Sequence, residues 1–344
     1  MIEKLLAYGN NNGCSDVHIS TNDVPMLRVD GEMIAIPGLD PLKADQVSLM
    51  IESVMSEDQK ERFEEDWELD FSLQIENMRF RVNAFRTIDG PAAVFREIPI
   101  DVRTLEELKT PDVIKKLTKH RHGLILLVGP TGSGKSTTIS AMINHIAKDH
   151  GTHIITIEDP VEFIHKSAKS LINQREVGTS THSFAKALKS SLREDPDVIL
   201  VGEMRDAETT KLALNAAETG HLVFATLHTN SASQSINRII DIFSAEDKGV
   251  IRSMISNSMV AVVSQRLINK KEGEGRIAAY EVMVANTSIR NLIRENKIPQ
   301  INSAMQLGKK EGMCLLSDSI KELSSKDLIS EKAAAEALEG YHIN

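Results

Sequence analysis

At 344 residues, 41% hydrophobic and 26% charged with a net charge of −9, the chain can bury the cores of two or three domains, and its acidic balance excludes an extended nucleic-acid footprint. No apolar run approaches the ~20 residues that a membrane-spanning helix needs, and Met1-Ile-Glu-Lys4 does not begin like a signal peptide, so neither is expected. Two cysteines, Cys14 and Cys314, make no disulfide framework and no zinc-ligand spacing, and they point to a reducing cytoplasm.

Residues 2–8 read as a short helix. Asp16–Ser20 and Met26–Val29 alternate like strands, and Asp30-Gly31 behind them is a hairpin-turn signal. One or two helices follow over 42–63, then strands over 68–73, 78–86 and 92–98, with turns near Glu76-Asn77 and Asp89-Gly90. Residues 1–98 are therefore expected to form an α+β domain on an antiparallel sheet. Residues 99–111, which contain Pro99 and Pro111, read as a linker. Beyond it, apolar strands at 123–128, 153–157, 197–201 and 222–227 alternate with helices. That is the pattern of βαβ units on a parallel sheet, and it assigns 112–285 to an α/β core. Residues 286–344 read as mostly helical.

The chemistry gathers where those strands end. Gly129, Pro130, Thr131, Gly132, Ser133, Gly134, Lys135 and Ser136 spell a complete GxxxxGK[ST] phosphate loop. Its glycines let the backbone curl so that N–H groups face phosphate oxygens. Lys135 offers positive charge to the β- and γ-phosphates, and the Ser136 hydroxyl offers a ligand to Mg²⁺. Thr137 opens a helix whose N-terminal dipole favours an anion. ATP with Mg²⁺ is the expected ligand.

In an open parallel sheet, ligands bind beyond the carboxyl ends of the strands, and three further strands end in polar groups. The strand at 153–157 leads into Glu158, Asp159 and Glu162. Hydrolysis needs a carboxylate to orient or deprotonate water, and spacing leaves open which of these does so. The strand at 197–201 leads into Glu203, placed like the acidic residue of a Walker B segment and able to hold Mg²⁺ directly or through water. Glu158 is a further candidate metal ligand. The strand at 222–227 leads into His228, which can donate a hydrogen bond to a γ-phosphate. His221 begins that strand, roughly 23 Å away if the strand is straight, so the two cannot touch one phosphate.

Residues 1–100 hold 9 Lys and Arg against 19 Asp and Glu, whereas 101–344 hold 31 against 30. Four of those nine basic residues, Arg79, Arg81, Arg86 and Arg96, lie between 79 and 96. In a strand, Arg79 and Arg81 share one face and Phe80, Val82 and Ala84 the other. Such a cluster suits the stabilisation of charge on a transferred phosphoryl group belonging to another domain or subunit. Salt bridges to the domain's own carboxylates are the competing account.

These segments resemble the type II/IV secretion superfamily of hexameric ATPases, most closely its PilT-type branch of pilus retraction motors, over nearly the whole chain. The matching stretches are Arg79-Phe-Arg-Val-Asn-Ala-Phe85, the phosphate loop, Thr156-Ile-Glu-Asp-Pro-Val-Glu162, Asn173-Gln-Arg-Glu-Val177, Leu192-Arg-Glu-Asp-Pro-Asp197, Val201-Gly-Glu-Met-Arg-Asp206 and Glu218-Thr-Gly-His-Leu-Val-Phe224 through His228. Ile289-Arg-Asn-Leu-Ile-Arg-Glu295 matches the retraction-type C-terminal signature, with Ser288 where alanine is usual. The resemblance implies an α/β chain with a PAS-like N-terminal domain, a RecA-like P-loop core and a helical C-terminal extension. It makes Glu162 the catalytic base, Glu203 the Walker B carboxylate and His228 the γ-phosphate contact. It has Arg81 and Arg96 reach nucleotide across a neighbouring subunit.

It further implies a homo-hexamer in the cytoplasm, peripheral at the inner membrane at the pilus base. An inner-membrane pilus platform protein and a paralogous retraction ATPase are the implied partners, without nucleic acid. Within the signature, Ile289, Leu292 and Ile293 form an apolar stripe with Arg290 and Arg294 four apart, and Ser288 is a candidate N-cap. The extension and secretion ATPases of the same superfamily usually carry a longer N-terminal region and a tetracysteine zinc insert, which two cysteines do not supply. A nucleotide-gated interaction protein with little turnover is disfavoured by the complete set of motifs.

Overall fold

The computed structural model describes residues 2–29, 31–98, 101–272 and 275–342. Asp30 of the expected hairpin turn and residues 99–100 of the expected linker lie outside them. The chain divides into two compact units, Met1–Asp101 with Pro160–Ile164, and Val102–Asp159 with His165–Asn344.

The first unit runs α1 (Ile2–Asn11), β1 (Asp16–Ser20), β2 (Met26–Val29), β3 (Glu32–Ala35), α2 (Ala44–Glu52), α3 (Glu57–Asp66), β4 (Glu68–Ile75), β5 (Met78–Thr87) and β6 (Gly90–Ile98). Its six strands form one sheet in the order β3-β2-β1-β6-β5-β4, antiparallel throughout. Alternation places Phe80, Val82 and Ala84 of β5 in a core with Leu6, Val17, Ile51 and Phe95. A capping box between Ser56 and Gln59 starts α3, and Trp67, in the left-handed region at φ 63°, ends it.

The second unit begins with α4 (Asp112–Leu117), β7 (Gly123–Val128), α5 (Lys135–Asp149), β8 (His153–Glu158), β9 (Leu171–Glu176), α6 (Phe184–Ser191), β10 (Val198–Val201), α7 (Ala207–Glu218) and β11 (Leu222–Leu227). It continues through α8 (Ala232–Asp241), α9 (Lys248–Ser258), β12 (Met259–Asn269), β13 (Arg276–Val284), α10 (Thr287–Arg294), α11 (Ile301–Leu307), α12 (Leu316–Ser325) and α13 (Glu331–His342). The sheet order is β13-β12-β7-β11-β10-β8-β9, parallel except for the β12–β13 pair. Every residue of β7, β10 and β11 is buried, as a parallel sheet covered by helices on both faces requires. Leu124, Leu126 and Val128 enter one core layer, and Ile125 and Leu127 enter the other.

Three of these strands, β9, β12 and β13, lie where the sequence reading expects none. β9 is an edge strand with no buried position, so it carries no apolar run. β12 follows α9 without an intervening residue, which hides the change of period. Between β7 and β12 the register slips by one residue from Met259 to Ala261, leaving Val260 unmatched. Gly123 makes room for it, since a Cβ there would lie 2.4 Å from Val260 Cγ2.

His165 is 9% exposed, and its Nδ1 has no hydrogen-bond partner. Burial alone pushes its pKa down from 6.5 to about 4. The unfolded chain therefore binds more protons between those values, so the stability that His165 contributes is complete above pH 6.5 and is lost as pH falls towards 4. Lowering the pH from 7 to 5 is expected to cost about 2 kcal/mol through this residue. Urea unfolding of a His165→Gln variant should show a flatter pH dependence across that interval.

Candidate active site

In the sheet, β7, β11, β10 and β8 lie side by side and parallel, so their carboxyl ends share one edge. That edge carries the phosphate loop, His228, Glu203 and Glu158. Gly129, Gly132 and Gly134 sit at φ 145°, 76° and 86°, which side chains rarely adopt. Space restricts two of them as well. A Cβ at Gly129 would lie 2.4 Å from the Gln265 carbonyl oxygen, and one at Gly134 2.7 Å from Gln265 Nε2.

Lys135 is buried, and its Nζ donates to the carbonyls of Gly129 at 2.8 Å and Pro130 at 3.0 Å, which holds the ammonium inside the loop. The Ser133 hydroxyl is also buried there without a hydrogen-bond partner. Phosphate oxygens would satisfy such a group. Ser136 and Thr137 are half-buried on the first turn of α5.

Beside the loop, Glu203 is gripped at both oxygens. Arg205 donates to its Oε2 through Nε at 2.9 Å and Nη2 at 2.8 Å, and His228 Nε2 lies 3.4 Å from its Oε1. Burial raises the Glu203 pKa, but the Arg205 guanidinium and then His228 outweigh it and hold the carboxyl below its ordinary value. Gly202 lets this turn approach β8, since a Cβ there would meet Ile157 O at 3.1 Å and Glu158 Cα at 3.3 Å. Glu158 Oε1 accepts from Thr156 Oγ1 at 2.7 Å and from Gln174 Nε2 at 3.3 Å. His221 sits at the opposite end of β11, with Nδ1 3.0 Å from the Ala216 carbonyl.

Glu162 is half-buried in Pro160–Ile164, the segment that groups with the first unit. Arg79 Nη2 donates to the carbonyl of its neighbour Val161 at 2.9 Å. The other arginines of the cluster also engage residues of that unit. Arg96 Nε donates to Asp16 Oδ1 at 2.8 Å, Arg81 lies 3.7 Å from Asp70, and Arg86 stands 5.9 Å from the Phe63 ring centroid. The side chains of Arg81 and Arg96 nevertheless remain 40% and 65% exposed.

The C-terminal signature forms α10. Asn286, not Ser288, is its N-cap and accepts from Ile289 N at 3.0 Å, because the helix already begins at Thr287. Ile289 and Ile293 are fully buried in the core. Arg290 Nη1 donates to the Ser256 and Asn257 carbonyls at the end of α9, at 2.6 and 2.7 Å, and Arg294 Nη2 to Ser256 Oγ at 3.1 Å. Arg290 thus caps a neighbouring helix, and Arg294 bonds a side chain on its last turn.

Two residues escape the sequence reading. Arg205 stands two positions after Glu203, inside a stretch already singled out, and the pair is the signal that was available. Gln265 is the amide that ends the apolar run of β12, and only the fold brings it under the phosphate loop.

An Arg205→Ala variant loses the main group that opposes burial at Glu203, so that carboxyl should titrate higher. The acid limb of its ATPase pH profile should move to higher pH. Replacing Arg290 by alanine should cost about 2 kcal/mol through the lost α9 cap, read as a lower urea midpoint.

Comparison with known proteins agrees with this architecture. Residues 1–272 match the family model described as type II/IV secretion system protein. A twitching motility protein of Neisseria gonorrhoeae is 54% identical over 311 residues, 90% of this chain and 83% of that protein. The type IV pilus retraction ATPase PilT of Pseudomonas aeruginosa is 52% identical over 336 residues, 97% of each chain. A crystal structure of the pilus retraction motor PilT with bound ADP superposes with a TM-score of 0.90 at 44% identity, covering 98% of this chain and 96% of the other. On this likeness over nine-tenths or more of its residues, the chain belongs to the type II/IV secretion system family, in the PilT-type group of ATPases.

Proposed function

We propose that this chain hydrolyses ATP and uses the energy to retract type IV pili, drawing pilin subunits out of the fibre as a ring of six copies. One observation carries the chemistry. Lys135, inside its glycine loop, and the Glu203–His228 pair stand on adjacent strand ends of one sheet edge. The loop's N–H groups and Lys135 hold the phosphates. His228 contacts the γ-phosphate and, through Glu203, senses whether it is there. The Glu162 carboxylate accepts a proton from water as that water attacks the γ-phosphorus, and ADP leaves as the bond to the β-phosphate breaks.

When bound, Mg²⁺ would supply positive charge against the triphosphate. Ser136, Glu203 and Glu158 fit that ion in kind. Arg205 and His228 already engage both Glu203 oxygens, which favours contact through water. Arg81 and Arg96 serve a neighbouring subunit's nucleotide with the surface that their own ion pairs leave exposed. Hydrolysis is coupled to rigid-body motion between the N-terminal domain at 1–98, which a linker at 99–111 joins, and the core at 112–285 with its helical extension at 286–344. The motor works in the cytoplasm, peripheral at the inner membrane, against a pilus platform protein, with a paralogous retraction ATPase as a further partner. Among the described residues no helix is long and apolar enough to cross a membrane.

Purified full-length protein should hydrolyse ATP, while Lys135→Ala abolishes turnover. Glu162→Gln should keep ATP binding and lose about a hundredfold in rate. In cells, deletion should stop twitching, and the wild-type gene alone should restore it. Equal rates in wild type and both variants would mean a nucleotide-gated binder instead.

A further inference from the structure

β12 lies beside the phosphate-loop strand and β13 beside β12, and apart from Gln265 neither carries a residue of the site described above. Their cross-strand pairs are nonetheless polar and buried. Ser264 faces Glu281 in the ladder, and Gln265 faces Tyr280. Their exposures are 2%, 0%, 3% and 3%. A polar group so buried costs free energy unless it is bonded, and these bonds run to α5 behind the phosphate loop and to the segment after His228.

Neighbours on a strand point to opposite faces. On one face, the Gln265 side chain accepts from Thr138 Oγ1 of α5 at 2.7 Å, and the Tyr280 hydroxyl interacts with the same Thr138. Gln265 also lies against both ends of the loop, through its carbonyl at Gly129 and its amide at Gly134. On the other face, Ser264 Oγ donates to the Asn230 carbonyl at 2.8 Å, and Glu281 Oε1 accepts from Ala232 N at 2.8 Å. Asn230 and Ala232 lie two and four residues after His228. The carboxylate also meets the positive end of α8.

We propose that the β12–β13 hairpin is a two-faced frame that fixes the phosphate loop and the His228 loop relative to each other. Gln265 positions the first and Glu281 the second. Both act through the loops that they hold and are positioning residues. The proposal rests on the ATPase reading of the site and predicts a division of labour within it. The loop held by Gln265 contacts the phosphates that ATP and ADP share. The loop held by Glu281 contacts only the γ-phosphate.

Full-length Gln265→Ala and Thr138→Val should bind fluorescent ADP about tenfold more weakly and raise KM for ATP. Glu281→Gln and the milder Ser264→Ala should bind ADP within about twofold of wild type while kcat falls about tenfold. Melting temperatures identify any variant that does not fold, and the milder member of each pair then decides that face. Equal effects of the two pairs on ADP affinity and on kcat, or effects on melting temperature alone, would overturn the frame. Lys135→Ala in the same assay separates the two ideas. Wild-type turnover no higher than that of Lys135→Ala refutes the ATPase reading. A normal gap between them with no split between the pairs refutes the frame alone.

Discussion

A parallel sheet covered on both faces leaves ionisable groups one place to go. β7, β10 and β11 are buried along their whole length, and a charge on any of those positions would have to leave water without a partner. Charged groups on these three strands are therefore confined to the loops where they end. The phosphate loop, Glu203 and His228 meet there because three neighbouring strands run in the same direction and stop on the same edge. The site follows from this constraint on the sheet.

At that edge charge is managed by close pairing. Glu203 stands between a guanidinium and an imidazole, and Lys135 is drawn in by backbone carbonyls. Neither charge faces solvent alone, and both stand in partly buried surroundings where electrostatic interactions are stronger than in water. The first unit uses a looser version of the same device. Arg81 and Asp70 both keep their side chains partly in water, where an ion pair contributes little to stability, whereas the Asp16 partner of Arg96 is buried.

Much of this was legible in the sequence, for reasons that differ from one segment to another. The phosphate loop announces itself because glycine, lysine and serine are each required by one local geometry. The strands at 123–128 and 222–227 stand out because burial on both faces demands uninterrupted apolar residues. Glu203 could be picked out because it directly follows such a strand. Contacts between residues distant in the chain were not legible. Arg79 meets the Val161 carbonyl 82 positions away, and Thr138 meets Gln265 across 127. No local pattern encodes either. The N-cap of α10 was misplaced by two residues because serine and asparagine are both good caps, and only the start of the helix decides between them. β12 and β13 were passed over for want of a turn between α9 and β12, and with them went the polar pairs that they carry.

The unmatched Val260 near the start of β12 gains importance from what lies downstream. A strand has a period of two, so one extra residue reverses the face of every side chain beyond it. The slip at Val260, sheltered by Gly123, therefore sets the phase in which Gln265 turns towards α5 and Ser264 towards the His228 loop. A single-residue deletion there, harmless to composition and nearly so to hydrophobicity, would exchange their faces. The number of residues between Val260 and Gln265, more than their kind, therefore decides which face each of the two tethers takes.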